Sequence, residues 1–139
     1  MGFLVKLDSN GSRPEKLQPI IKQKLVDYLA MDIKAPLSKY AQIVGWRAPA
    51  YKLRQSIELI INSGIEHEFR TTIVKELTSL DDLKKIAETV KGAQKYFLQR
   101  FVASKLIDEN CRHKSSYEET ELKELAKKLE KYVAICQVR

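Results

Sequence analysis

The residues best equipped for chemistry sit at the ends of short apolar runs. The first run, Phe3–Leu7, ends in Asp8-Ser9-Asn10-Gly11, and the second, Asp27–Ile33, carries Asp32 and is followed by Lys34. A third, Glu68–Val74, contains Arg70, Thr71 and Thr72, and a fourth, Lys95–Phe101, ends near Gln99 and Arg100. Carboxylates, an ammonium and a planar guanidinium gathered at one rim would suit a small charged ligand with both carboxylate-type and amine-type groups. Each residue also has a plainer reading. Asp8 and Asn10 can cap a turn through their own side chains. Asp32 and Lys34 can form a local ion pair, although two positions apart on a strand they point to one face and are available to one ligand. Arg70 would face outward from a β-branched run unless a ligand or an acid held it in.

Other candidates are weaker. His67 and His113 stand in no metal-ligand spacing and read as surface histidines. Trp46 and the tyrosines read as packing residues. The two cysteines, Cys111 and Cys136, are too few for an iron–sulfur site, which takes four ligands or three where a substrate completes it. Cys136 lies in an apolar run and reads as a small buried hydrophobe, while Cys111 beside His113 is at best half a metal site.

The elements that must position these residues alternate. Ser12 near an N-cap and Pro14 in the first turn begin a helix expected to reach about Leu25. The stretch Leu37–Arg47 is ambiguous and reads as a short helix followed by a loop. Pro49 opens a helix with Leu53, Ile57, Ile60 and Ile61 on one face and Gly64 beyond its end. Ser79 with Asp82 matches a capping box for a helix to about Lys91, stopped by Gly92. Ser116 with Glu119 is the matching signal for the last helix, and a fifth strand is expected over Tyr132–Val138. Strand and helix at this spacing mean βαβ units and a parallel sheet, whose ligands bind beyond the carboxyl ends of the strands.

Composition bounds the rest. One domain over 1–139 is expected, since 44% hydrophobic and 31% charged residues describe a globular chain. No apolar run approaches the roughly 18 residues that span a bilayer, and the first residues lack the form of a signal peptide. A cytoplasmic location and no membrane are therefore expected. The formal charge of +7 could attract nucleic acid, but Lys and Glu alternate along Glu118–Lys131 instead of segregating by sign. Pairs such as Glu119/Lys123 and Glu124/Lys128 read as a solvated helix surface.

The strand ends carry a resemblance. Val5–Gly11 resembles the "LDTNG" strand end of radical S-adenosylmethionine activating enzymes, with Ser9 in place of the usual Thr. Asp27–Pro36 is similar to their "DxK" strand, and Glu68–Val74 to the next, with its "RTTV" core. The nearest kin by these motifs are activators of anaerobic ribonucleoside-triphosphate reductase and of pyruvate formate-lyase. The resemblance implies a partial parallel (βα) barrel of about five strands with outer helices. It further implies S-adenosylmethionine as cofactor, a 4Fe–4S cluster in the full-length family, and a glycyl-radical enzyme such as the anaerobic reductase as partner. Lys34 would hold the carboxylate of the methionine moiety, with Arg70 supporting the cofactor. Asp8, Ser9, Asn10 and Asp32 would line the same end, where a cation is one candidate occupant.

The family's Cys-x₃-Cys-x₂-Cys loop and "GGEP" strand are absent, both belonging upstream of Phe3. A C-terminal part of such an enzyme, inactive alone and unable to bind the cluster, is therefore expected, with no catalytic or metal-ligating residue of its own. Such a half barrel should pair with a missing N-terminal half or with itself, through the Phe3–Leu7 edge and an apolar inner face. Two alternatives remain: a non-catalytic half-barrel binding module, and an ordinary α/β enzyme using Asp8 and Asp32 as a carboxylate pair.

Overall fold

The computed structural model describes residues 2–44, 49–102 and 113–139. Five strands, β1 (Lys6–Ser9), β2 (Tyr28–Asp32), β3 (Glu66–Ile73), β4 (Lys95–Arg100) and β5 (Ile135–Val138), form one sheet in the order β1-β2-β3-β4-β5. Every adjacent pair is parallel. Between them run α1 (Pro14–Lys22), a 3₁₀ turn (Leu37–Lys39) leading into α2 (Tyr40–Val44), α3 (Ala50–Ile61), α4 (Leu80–Thr89) and α5 (Glu119–Leu129). A strand order that never reverses keeps successive crossovers on one side of the sheet, which is barrel-like winding. The expected partial (βα) barrel is what forms.

The two faces of the sheet differ in kind. On the helix side, Leu29, Met31, Phe69, Ile73, Tyr96 and Leu98 pack against Leu53, Ile57, Ile60, Leu83, Ile86 and Leu122. The concave face follows from the register, which sets Asp8, Ala30, Glu68, Lys95 and Ile135 in one row and Asp32, Arg70, Phe97 and Gln137 in the next. It is charged, not apolar as expected. Period-2 alternation puts Glu66, Glu68, Arg70 and Thr72 together there, and Lys6 turns in from β1 to meet Glu68 at 3.1 Å. The two most exposed large apolar side chains stand instead on the chain leading into β1, where Phe3 is 83% and Leu4 88% accessible.

Local signals held unevenly. Helix α1 starts at Pro14, but Arg13 is its N-cap with no side-chain bond, and the helix stops at Lys22, short of Leu25. Ser12 stands one residue before the cap, and its N–H donates to Asn10 Oδ1. The Ser79–Asp82 capping box forms as expected. Helix α5 is capped by Glu118 with Glu121, not by Ser116 with Glu119. Of the two ion pairs expected along it, Lys123–Glu119 forms at 2.5 Å. Trp46 and Cys111 lie outside the described residues, and His113 is exposed as expected.

His67 is the clear reversal, since it is only 2% exposed. Its Nδ1–H donates to the Ile65 carbonyl at 2.9 Å, its Nε2 accepts from the Gln94 N–H at 3.2 Å, and its own backbone N–H donates to Gln94 Oε1 at 3.0 Å. The ring thus ties the start of β3 to the turn before β4. Burial lowers its pKa below 6.5, helped by the charge of Lys95 and opposed by the Ile65 bond. This contribution to stability is complete above the unfolded pKa and is lost as pH falls below it, because the unfolded chain takes the proton more readily. Urea unfolding between pH 7.5 and 5.5 should therefore show a decline that the His67→Gln variant lacks. An equal decline in both would remove His67 as the cause.

Candidate functional site at the strand ends

The site is organised by Arg70, half-buried on the concave face. Its Nη2–H donates to Asp8 Oδ1 at 2.5 Å and its Nε–H to Asp32 Oδ1 at 2.7 Å, while Nη1 lies 3.6 Å from Glu68 Oε1. One guanidinium therefore joins β1, β2 and β3. Burial alone would lower its pKa, but the hydrogen bonds and charges of Asp32 and Asp8 outweigh it and raise it. An acid partner does hold Arg70 inward, and Asp32 pairs with Arg70 instead of Lys34. Asp8 and Asp32 stay roughly half exposed, at 54% and 46%.

Beneath Arg70 lies Glu68, a carboxylate only 3% exposed. Tyr28 donates to it at 2.9 Å and Lys6 at 3.1 Å, and the Arg139 guanidinium stands 3.6 Å away while stacked on Phe97. Burial would push the Glu68 carboxyl up, yet these donors and charges hold it below its ordinary range. The Tyr28 phenol is pushed up to about 12, by burial first and then by its bond to Glu68. Sequence reading missed Glu68, Tyr28 and Arg139. The alternation Glu66-x-Glu68-x-Arg70-x-Thr72 was the available signal, since no amphipathic strand packed on helices would bury that side.

Ser9 and Asn10 build the turn that carries Asp8. Ser9 Oγ accepts from the Gly11 N–H and Asn10 Oδ1 from the Ser12 N–H, both at 3.0 Å. Ser56 of α3 donates to the Gly11 carbonyl at 2.8 Å and fixes the turn from below. The plainer reading of Asn10 is thus met, while Asp8 does more than cap. Strand β2 ends at Asp32, Ile33 still donates to the Arg70 carbonyl at 2.8 Å, and Lys34 stands exposed beyond. Thr71 points away from the rim, and Arg100 is drawn off to Glu119 at 3.6 Å. Gln99 accepts a long 3.4 Å bond from Thr72.

A cavity of about 400 Å³ opens at the end of β1, lined by Asp8, Ser9, Asn10 and the first turns of α1. A roomier one, about 860 Å³, lies on the outer surface between α1 and α3, lined by Gln18, Ile21, Tyr51, Gln55 and Leu59. No strand end reaches it, so the rim is the better candidate in a parallel sheet. Among the described residues, no group of three His, Cys, Asp or Glu side chains could hold a metal ion. Cys136 faces the core, and burial pushes its thiol up to about 12, the opposite of a ligating thiolate.

No protein-family model matches the chain. It is 36% identical over 136 residues, 95% of its length, to a Methanocaldococcus jannaschii protein named as a glycyl-radical enzyme activating enzyme. The chain spans 57% of that relative. Its fold matches the crystal structure of a domain of pyruvate-formate lyase-activating enzyme from Bacteroides vulgatus, with a TM-score of 0.74. That match runs at 13% identity and covers 99% of this chain and 82% of that one. The chain is thus similar in sequence to part of one glycyl-radical enzyme activating enzyme, and it shares its fold with a domain of a pyruvate-formate lyase-activating enzyme.

Proposed function

We propose that this chain is the part of a glycyl-radical-enzyme activase that holds S-adenosylmethionine at the ends of β1, β2 and β3. The observation that carries the reading is the convergence of Asp8, Asp32 and Arg70 from three parallel strands, with Lys34 exposed two residues past Asp32. The donor set fits the cofactor's amino-acid end. Lys34 offers an ammonium for a carboxylate, and Asp8 and Asp32 each keep a second oxygen, unbonded among the described residues, for an ammonium. Arg70 holds both carboxylates in place, so the ligand meets a preformed pair of acceptors. S-adenosylmethionine, when bound, supplies the sulfonium carbon–sulfur bond that reduction breaks.

The cluster that would deliver the electron does not fit this chain's residues, because one of its two cysteines faces the core. We therefore assign no cleavage step to this chain, and treat it as inactive without cysteines supplied from elsewhere. The proposed partner is a glycyl-radical enzyme, with anaerobic ribonucleoside-triphosphate reductase as the specific candidate, and the proposed setting is the cytoplasm. Among the described residues no helix is long and apolar enough to cross a membrane. The outer edge of β1, beside exposed Phe3 and Leu4, is where further strands or a second copy would add.

Calorimetric titration tests the binding reading. Wild type should bind S-adenosylmethionine, and Lys34→Ala should bind it about tenfold more weakly, since a hydrogen bond to a charged group contributes about 1.5–3 kcal/mol. Equal affinity would take Lys34 out of the site. No binding by wild type would favour the alternative, a half-barrel module without the cofactor.

A further inference from the structure

We propose that Thr71 and Tyr96, buried on the opposite side of the sheet, are positioning residues for Lys34. This rests on the reading of the rim as an S-adenosylmethionine site but concerns different residues. Tyr96 on β4 donates from its hydroxyl to Thr71 Oγ1 at 2.9 Å, and Thr71 on β3 donates to the Ile33 carbonyl at 2.7 Å. The three residues are 0%, 1% and 1% exposed. The relay therefore runs through the core from β4 to the residue just past the end of β2, and it ends on the peptide unit that leads into Lys34.

That peptide is held from several sides. The Ile33 N–H donates to the Arg70 carbonyl at 2.8 Å, so the same residue is fixed by both of its backbone groups to β3. Past it, Lys39 anchors the following turn to Asp82 at 2.9 Å. A strand end normally frays, since its last groups lose their ladder partners. Here side-chain hydroxyls replace the ladder, and they do so on the peptide whose rotation sets the direction in which Lys34 leaves the strand end. A threonine kept purely for packing could be valine. Valine would leave both the Ile33 carbonyl and the Tyr96 hydroxyl buried without a partner.

The test compares Thr71→Val, Thr71→Ser, Tyr96→Phe and Lys34→Ala, each checked for fold by circular dichroism and titrated with S-adenosylmethionine. Thr71→Val should lose about tenfold in affinity, and Thr71→Ser, which keeps the hydroxyl, should stay within about twofold of wild type. The double variant Thr71→Val with Lys34→Ala should bind no more weakly than Lys34→Ala alone, because Thr71 acts through Lys34. Additive losses, or wild-type affinity in Thr71→Val, would overturn the assignment. If Thr71→Val does not fold, Tyr96→Phe carries the same comparison with the Thr71–Ile33 bond left in place and a smaller loss expected. If wild type does not bind the cofactor, the ligand reading fails, and amide exchange at Lys34 decides the relay on its own. Exchange should quicken at Lys34 in Thr71→Val with the core strands unchanged, and unaltered exchange there would refute it.

Discussion

Gly11→Ala should destabilise the protein by about 2–5 kcal/mol, the sum of two separable effects. Gly11 has φ +73°, and a side chain there costs about 1–2 kcal/mol from steric conflict with the backbone. Its Cβ would also lie 2.0 Å from Met31 Cε and 2.9 Å from Met31 Sδ, with Leu53 at 3.3 Å behind. Methionine can often yield, but Met31 is fully buried in the core, so its displacement adds an overpacking cost of about 1–3 kcal/mol. Gly64 provides the contrast, with φ +71° and nothing within 4 Å of an added Cβ. Gly64→Ala should therefore cost only the backbone part. Urea denaturation of both variants measures the difference, and equal losses would show that Met31 moves aside freely. Because Ser9 and Ser56 both bond Gly11, the larger loss should come with a disturbed Asp8.

The second large effect is expected at Arg70. Arg70→Ala would leave Asp8, Asp32 and the buried Glu68 facing one another without the cation that joins them. A fully buried charge stripped of its partner costs about 3–5 kcal/mol. Two of the three carboxylates here are about half exposed, and exposed pairs contribute only about 0–1 kcal/mol. A loss of about 2 kcal/mol at pH 7 follows from that discount. Its sign with pH is distinctive. The variant's deficit comes from repulsion between ionised groups, so it should shrink as acid neutralises them and grow again as pH rises. Arg70→Lys should fall between, since an ammonium cannot serve two carboxylates through a planar fork. Denaturation curves at pH 4 and pH 7 decide, and a deficit independent of pH would mean that lost packing, not charge, is responsible.

Much of this arrangement is legible in the residues. The turn Asp8-Ser9-Asn10-Gly11, the Ser79–Asp82 capping box and the alternation of β-branched runs with helical ones suffice for a parallel sheet with a polar rim. What escaped reading depends on which side of a strand meets the helices. Glu68 and His67 are neighbours in sequence, and the periodicity of β3 alone does not say which one enters the core. The register answers it: His67 sits on the helix side with Phe69, and Glu68 joins the charged row. The helix caps shifted by one or two residues: α1 begins at Pro14 with Arg13 as its N-cap, and Glu118 with Glu121 takes the place expected of Ser116 with Glu119. Arg139 was invisible because its long side chain crosses from the end of β5 to Glu68, a contact between residues 71 positions apart.

The most direct measurement of the proposed binding place is amide chemical-shift mapping of the ¹⁵N-labelled chain during titration with S-adenosylmethionine. Shifts concentrated at Asp8–Gly11, Asp32–Lys34 and Arg70–Thr72, saturating together, are the expected result. Shifts confined to the cavity between α1 and α3, at Gln18, Ile21, Tyr51 and Leu59, would contradict it and move the site off the strand ends.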